Sequence, residues 1–180
     1  MRRGRTSRLA PVHLFFVLPS PYISLMTHFL TVLSIVCCTG VFAQQHEIEV
    51  LVTKSEYRLS VLRGDSLVAR YPVAVGRNPG DKKRRGDYRT PVGEFRISQI
   101  QKSSSWVQDF EDGKGPIPGA YGPWFLRLET GRWTGIGIHG THDPAGIGTM
   151  VTEGCIRLRN GDLEELKRTV TIGTRVKIMP

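Results

Sequence analysis

Apolar and polar positions alternate along much of the chain after residue 46, which is the period of β-strands rather than helices. Residues 47–52 and 57–61 each show this alternation, and residues 67–75 form a third apolar-rich segment. The sequence Arg63-Gly64-Asp65-Ser66 between the second and third segments is typical of a hairpin turn. The pattern therefore predicts that the domain opens with an antiparallel meander.

Four further segments have strand-like patterns, and they lie at residues 92–100, 123–128, 134–139 and 174–179. A turn at residues 130–132 joins two of them. Residues 101–122 contain four glycines, two prolines and a run of serines, so we expect a long binding or lid loop without regular structure.

Only residues 162–169 have a helical pattern. Asp162 is the expected N-cap, and Glu165 would complete a capping box. Leu163, Leu166 and Val170 would then share the buried side of the helix. Together these segments predict a mainly β fold, a single β-sandwich or barrel-like domain with one short helix near the C-terminus.

Residues 1–43 differ in composition, with four arginines, no acidic residue and two apolar stretches. Val41 and Ala43 occupy the −3 and −1 positions that signal peptidase accepts, and the apolar core is shorter than the roughly 20 residues of a spanning helix. We therefore interpret residues 1–43 as an export segment cleaved after Ala43, with residues 44–180 as the mature domain. Met26 is an alternative start that leaves the mature domain unchanged, and an uncleaved amino-terminal anchor is the alternative to cleavage.

Composition and charge narrow the function classes. The chain has three cysteines, Cys37, Cys38 and Cys155, which is too few for a disulfide scaffold, and only Cys155 lies in the mature domain. The formal charge of +9 falls to +5 when residues 1–43 are removed. Much of the remaining excess lies in residues 82–85, which we interpret as a solvated loop rather than a nucleic-acid patch. We expect an acidic polymer or the cell envelope as partner, and no nucleic acid.

The candidate chemistry lies in two glycine-rich segments, residues 133–141 and 152–158. They contain His139 and Cys155, so an imidazole could take the proton of a thiol while glycine-exposed N–H groups hold an oxyanion. The alternative is that Cys155 fills a gap in the core. No ligand pair has the spacing of a structural zinc site, so we expect neither a metal nor a cofactor.

The two segments resemble the catalytic domain of the L,D-transpeptidases (YkuD-like), which act on peptidoglycan. Members carry a His-Gly segment followed by Ser/Thr-His-Gly-Cys; here His139-Gly140-Thr141 is followed by Thr152-Glu153-Gly154-Cys155-Ile156-Arg157-Leu158. Residues 86–95 and Tyr121-Gly122-Pro123 also look like this domain. The resemblance covers residues 46–179 and identifies a branch with Glu153 in place of the second histidine.

The resemblance implies that the protein is a cysteine acyltransferase. Cys155 would be the nucleophile, His139 its general base, and Gly140 the residue whose carbonyl orients the imidazole. The N–H groups of Gly154 and Cys155 would form the oxyanion hole. The thiolate would attack the L-centred third residue of a stem tetrapeptide, release D-Ala, and transfer the acyl group to an amine in a 3-3 cross-link or to a lysine of an envelope lipoprotein.

Four residues are candidates for substrate binding: Arg157, Thr141, Glu153 and Tyr121. A guanidinium at position 157 could clamp a peptide carboxylate, although it could equally pair with Asp162 and hold the helix. We expect Glu153 to pair with Arg157 or His139, because an unpaired carboxylate beside Cys155 would raise the pKa of the thiol.

Two alternatives remain at this point. Water as the acceptor would make the protein an L,D-carboxypeptidase or endopeptidase, and failure of Cys155 to react would indicate a non-catalytic envelope-binding module. In each case we expect an exported monomer in the periplasm or cell envelope, acting in cell-wall organisation and cell shape. Contact with the membrane would come only through an uncleaved signal.

Overall fold

The computed structural model describes residues 47–110, 113 and 115–180. Residues 1–46 lie outside the described residues, and with them Met26, Cys37 and Cys38. The export segment, its cleavage after Ala43 and the domain boundary therefore stay predictions. Among the described residues, no helix has the length and apolar character needed to cross a membrane.

The described strands, in chain order, are β1 (Ile48–Thr53), β2 (Arg58–Arg63), β3 (Ser66–Pro72), β4 (Val75–Gly76), β5 (Gly93–Lys102), β6 (Val107–Gln108), β7 (Ile117–Pro118), β8 (Trp124–Leu128), β9 (Gly137–His139), β10 (Met150–Thr152), β11 (Ile156–Arg157) and β12 (Arg175–Met179). The α-helix of the described region is α1 (Asn160–Thr169), and short 3-10 turns lie at Lys54–Glu56 and Pro144–Gly146. The mainly β fold with one short helix near the C-terminus is confirmed.

Eight of these strands form one curled sheet in the order β11-β9-β8-β5-β12-β1-β2-β3. The opening meander β1-β2-β3 is antiparallel, as predicted, whereas β12 pairs with β1 in parallel. Just beyond β3, Ala74 exchanges two backbone hydrogen bonds of 2.9 Å with Arg157 of β11. The two ends of the sheet therefore meet, which gives the barrel-like form.

Apolar side chains from alternate strand positions fill the interior of this sheet. Val50, Val52, Leu59 and Val61 of the meander are completely buried, as their alternation predicts. Helix α1 adds Leu163 and Leu166, which are also completely buried. The same core supports β9 and β11 from behind through Ile138 and Ile156, so the opposite face of these strands is free to carry polar groups.

Residues 101–122 differ from the predicted loop. Strand β5 continues through Lys102, and the short strands β6 and β7 pair as a hairpin within the segment. Two-residue strands are too short to show an alternating pattern, and Pro118 lacks the N–H that a central strand needs. The prediction of a segment without regular structure was therefore wrong.

The predicted start of the helix was also wrong. Helix α1 begins at Asn160, and the N-cap is Arg159, whose extended backbone carbonyl accepts the first helical hydrogen bond from Leu163 N–H at 3.0 Å. Asp162 thus lies inside the first turn, where a carboxylate favours the helix dipole but cannot cap. The prediction of a buried side formed by Leu163, Leu166 and Val170 is confirmed.

Candidate active site

Three neighbouring strands place a row of side chains on one face of the sheet. Phe125 of β8 pairs with His139 of β9, and His139 pairs with Arg157 of β11. Directly paired residues project from the same face of a sheet. The phenylalanine and imidazole rings accordingly stack, with centroids 5.5 Å apart and planes 10° apart.

A second row lies two residues along the same strands. Arg127 of β8 pairs with Gly137 of β9, and Cys155 precedes Arg157 by two residues. A Cβ atom at Gly137 would overlap the ring of Phe125, so glycine is required there. The Cys155 thiol donates a hydrogen bond to the Gly135 carbonyl at 3.3 Å.

His139 is held in one orientation. Its Nδ1 lies 2.7 Å from the Gly140 carbonyl oxygen, and because a carbonyl can only accept, Nδ1 carries the proton. Tyr121 contacts the ring edge to face, with centroids 4.9 Å apart. Only 3% of His139 is exposed. The other ring nitrogen, Nε2, is therefore the one that can accept a proton.

Desolvation favours the neutral forms of both the half-buried thiol and the buried imidazole. It raises the pKa of Cys155 to about 11, and the Gly137 N–H and the Arg157 charge oppose this shift only in part. Burial also lowers the pKa of His139 to about 3; the nearby Arg157 adds to this shift and the bond to Gly140 opposes it. The resting pair is a thiol and an imidazole rather than a thiolate and an imidazolium.

Arg157 is a buried cation without an anionic partner among the described residues. It is 7% exposed, and its Nε makes no hydrogen bond there. The alternative that Arg157 pairs with Asp162 is not supported, because Asp162 Oδ2 is likewise buried without a partner in this region. Burial lowers the pKa of Arg157, and Asp143 opposes this shift.

The remaining candidate residues lie at different distances from the reacting groups. Glu153 is exposed and lines the same cavity, but the expected ion pair with Arg157 or His139 is not formed among the described residues. Tyr121 also lines the cavity and donates to Gln108 Oε1 at 2.8 Å. The Thr141 hydroxyl is buried and donates to the Asp143 carbonyl at 2.9 Å, so this side chain is engaged in a turn.

The backbone groups expected at the oxyanion hole differ from each other. The Gly154 N–H donates to Thr152 Oγ1 at 3.1 Å, so it already has an acceptor. Gly154 also has φ +132, and a Cβ there would overlap the Arg89 carbonyl, which explains the glycine before the cysteine. The Cys155 N–H is therefore the better candidate for an oxyanion donor.

These groups open into a cavity of about 640 Å³, a volume within the range of small-molecule sites. The cavity is lined by five basic residues, Arg77, Lys82, Arg85, Arg127 and Arg157, and by two acidic residues, Asp109 and Glu153. It also contains an aromatic wall of Trp106, Phe110, Tyr121 and Phe125. The excess of basic residues makes the cavity suited to an anionic ligand.

The basic segment at residues 82–85 is not simply a solvated loop. Lys82 is 6% exposed and its Nζ lies 2.7 Å from Asp87 Oδ1. Asp87 also accepts backbone N–H bonds, two of them from Lys83 and Arg84. The interpretation as a solvated loop was wrong for Lys82, which serves as a buried structural charge, whereas Arg84 and Arg85 are exposed.

Sequence reasoning missed Arg127, Phe125 and Asn160. Phe125 and Arg127 lie on alternate positions of β8, and this periodicity was the available signal that they share a face. Asn160 contacts the segment after His139 through its bond from Thr141 N–H at 2.8 Å, which no local pattern could indicate.

The L,D-transpeptidase catalytic domain model (YkuD) matches residues 47–178. The chain belongs to this family. A putative L,D-transpeptidase YkuD of Bacillus licheniformis is 37% identical over 123 residues, which cover 68% of this chain and 59% of that protein. The probable L,D-transpeptidase ErfK/SrfK of Escherichia coli K12 is 30% identical over 141 residues, covering 72% of this chain and 43% of the relative.

Solved structures agree with the L,D-transpeptidase fold. The catalytic domain of the L,D-transpeptidase of E. faecium matches with a TM-score of 0.55 and 18% identity, covering 76% of this chain and all of that domain. At this identity the similarity establishes the fold alone. The chain spans less than two thirds of the length of the B. licheniformis relative.

Proposed function

We propose that this protein is a peptidoglycan L,D-transpeptidase with Cys155 as nucleophile and His139 as general base. The observation that supports this most directly is that the thiol and a tautomer-fixed imidazole line one cavity from adjacent strands. The family match gives the reaction class, and the basic lining of the cavity favours a peptide with carboxylates.

In the acylation step, His139 Nε2 takes the proton of the Cys155 thiol while the sulfur attacks the carbonyl of the third, L-centred stem residue. Because both groups are neutral at rest, proton transfer accompanies bond formation. The Cys155 N–H would stabilise the oxyanion, and Gly154 would contribute if its bond to Thr152 lengthens. The imidazolium then protonates the leaving amine of D-Ala as the carbon–nitrogen bond breaks, and a thioester remains.

In the second step an amine attacks the thioester, His139 accepts its proton, and the sulfur leaves to regain that proton. A side-chain amine of another stem gives a cross-link, and a lysine of an envelope lipoprotein gives a tethered protein. Arg157 would bind a carboxylate of the donor, since it is a buried cation without an anion among the described residues. Tyr121, which lies against His139, would contact the peptide beside the scissile bond.

The proposal includes export to the periplasm or cell envelope, where its substrate lies. Support comes from the composition of residues 1–43, and from the family itself. Cleavage after Ala43 is tested by amino-terminal sequencing of the exported protein. Full-length protein in the envelope would contradict cleavage and favour an anchor.

Mass spectrometry of the products tests the catalytic proposal. The protein is incubated with a stem tetrapeptide, with and without an amine acceptor, and acyl-enzyme and products are measured. We expect a covalent adduct minus D-Ala, absent in Cys155→Ala, and transfer to the amine. Tripeptide alone in both conditions would favour a carboxypeptidase instead, and a Cys155 that never reacts would favour a binding module.

A further inference from the structure

The cavity has more cations than the proposed acylation needs. Arg77, Arg85, Arg127 and Arg157 all line it, and none of them takes part in the ion pairs found among the described residues. The proposed chemistry uses only Arg157. Besides Arg157, Arg127 is the arginine whose charge lowers the pKa of Cys155.

Arg127 is fixed in position but not neutralised. Its Nε and Nη2 each lie 3.3 Å from Gln101 Oε1, an uncharged acceptor. The guanidinium carbon lies 5.2 Å from the centroid of the Phe125 ring. These contacts hold the half-buried side chain at the cavity wall while its positive charge remains available to a ligand.

The sheet leaves a gap between Arg127 and the thiol. Arg127 pairs with Gly137, and Cys155 immediately precedes the residue that pairs with Ile138. Extending this register puts Gly137, which has no side chain, between Arg127 and Cys155. Arg127 and Cys155 are two inter-strand spacings apart, so their backbones are about 10 Å from each other. A substrate group that reaches across Gly137 from the attacked carbonyl would arrive at the guanidinium.

We propose that Arg127 forms a second carboxylate subsite, which recognises a free side-chain carboxylate on the third residue of the donor. Resting on the proposed function, this makes Arg127 the residue that discriminates a donor with a free carboxylate at that position from a donor without one. Stems with lysine or with an amidated carboxylate there would be poor donors. Arg157 and Arg127 would then bind different carboxylates of one peptide.

Three tetrapeptide donors test this subsite, carrying at the third position a diamino diacid, its side-chain amide, or lysine. Acylation rates of the protein are measured by intact mass spectrometry. We expect at least a tenfold higher kcat/KM for the free carboxylate, and Arg127→Gln should reduce this preference to about twofold, mainly through KM. Arg63→Gln removes an arginine outside the cavity lining and should keep the full preference.

The outcomes separate the two proposals. Equal use of the three donors by the wild-type protein, or an unchanged preference in Arg127→Gln, would overturn the carboxylate subsite while acylation still stands. Failure of every donor to acylate Cys155 would overturn the proposed function itself.

A second observation concerns one peptide group behind His139. The carbonyl of Gly140 accepts from His139 Nδ1 at 2.7 Å, and the N–H of the same peptide group, on Thr141, donates to Asn160 Oδ1 at 2.8 Å. The imidazole, the peptide group and the amide of Asn160 thus form a continuous hydrogen-bonded chain. Adjacent hydrogen bonds polarise each other, so the second bond strengthens the first.

Two neighbouring glycines leave the space that the Asn160 side chain occupies. Gly122 and Gly140 pack against each other, and a Cβ on either would overlap Asn160 Oδ1. Asn160 is the first residue of α1, yet its side chain bonds to Thr141 across the fold while no side chain caps the helix. The asparagine is largely exposed, so it is not needed to fill the core.

We propose that Asn160 is a positioning residue for catalysis, which orients the Gly140–Thr141 peptide and strengthens its carbonyl as the acceptor for His139. The effect should be largest in the transition state, when the imidazole gains a second proton and becomes positively charged. Asn160 itself touches neither the substrate nor the thiol in this scheme.

Asn160→Leu removes the acceptor and keeps the size, whereas Asn160→Asp keeps an acceptor oxygen. We expect Asn160→Leu to lower the kcat of acylation about tenfold with little change in KM, and Asn160→Asp to recover it to within about threefold. Thermal unfolding of both variants provides the control for stability. A kcat equal to wild type in Asn160→Leu, or equal losses in both variants at unchanged Tm, would overturn this role.

Discussion

Two buried charged clusters border the cavity, and they differ in how fully their charges are satisfied. Asp87 accepts four hydrogen bonds, from Lys82 Nζ and from the backbone N–H groups of Lys83, Arg84 and Arg89. Arg157 has no anionic partner among the described residues, and its Nε has no hydrogen bond there. Asp87 has its counter-charge within the fold, whereas Arg157 forms no ion pair among the described residues.

The difference distinguishes a buried charge that stabilises the fold from a buried charge that can bind a ligand. Burial alone would raise the pKa of Asp87, but the bonds from Lys82 and the backbone outweigh it and hold that pKa well below its ordinary value. A buried charge with complete partners stabilises the loop that carries it. A buried charge without partners costs free energy in the empty protein, and binding an anion recovers this cost. Mutations in the two clusters should therefore have opposite effects.

The largest effect on stability is expected for Asp87→Asn. The change leaves Lys82 buried without a counter-charge, and it places an amide donor where Asp87 Oδ2 accepts from Lys83 and Arg84. Breaking a buried pair costs about 3–5 kcal/mol. Thermal and denaturant unfolding should show a lower free energy of unfolding by this amount and a Tm lower by about 10–20 °C.

An exposed carboxylate in the same loop provides the control. Asp81 uses only Oδ1, which accepts from Lys82 N–H and Val92 N–H, so Asp81→Asn can keep both bonds and should cost at most about 1 kcal/mol. Because the pKa of Asp87 is lowered in the folded state, its contribution is present above its unfolded pKa of about 4 and is lost as the pH falls. Equal losses in the two variants would contradict the structural role of the Lys82–Asp87 pair.

The opposite response is expected for Arg157→Met. Methionine fills similar space without a buried charge, so the free energy of unfolding should stay the same or rise by about 1 kcal/mol. The backbone bonds of Arg157 to Ala74 do not depend on the side chain. Acylation kinetics should show a KM at least tenfold higher, since a charged hydrogen bond contributes about 1.5–3 kcal/mol. A loss of stability near that of Asp87→Asn would show that Arg157 is structural.

The neutrality of the thiol and imidazole gives a pH prediction. With the pKa of Cys155 raised to about 11 and that of His139 lowered to about 3, the thiolate fraction rises as the pH rises. Alkylation of Cys155 by iodoacetamide should therefore increase about tenfold per pH unit between pH 7 and 10, without a plateau. His139→Gln should keep this slope. A plateau starting below pH 7 that disappears in His139→Gln would instead indicate a preformed ion pair.

The regular parts of the fold were predictable because their signals are local. The meander β1-β2-β3 follows from alternation and a hairpin turn, and the buried side of α1 follows from helical spacing. The parallel pairing of β1 with β12 joins residues at opposite ends of the described region, which no local pattern reports. The capping box failed for the same reason, since the contact of Asn160 with Thr141 is formed across the fold.

In the candidate site, too, local features could be predicted and contacts formed across the fold could not. That His139 and Cys155 lie together in one cavity could be predicted, because His139 precedes a glycine and Cys155 follows one in recognisable segments. The proposed role of Arg127 depends on the register that pairs it with Gly137, and the buried state of Lys82 depends on a carboxylate five residues away in a folded loop. Residue types can be inferred from sequence, but charge satisfaction depends on three-dimensional packing.

The smallest effect is expected for Glu153→His, which introduces the histidine that the resemblance to the family leads us to expect at this position. Glu153 is exposed and forms no ion pair among the described residues, but its charge raises the pKa of Cys155. Histidine removes this effect and adds no clash at an exposed position, so kcat/KM for acylation should change by less than about tenfold, or 1.4 kcal/mol. Glu153→Gln, which removes the charge and keeps the shape, should agree with it to within a few-fold. A loss of a hundredfold or more in both variants would show that the carboxylate has a specific role, and Glu153 would then join Arg157 as a proposed contact of the substrate.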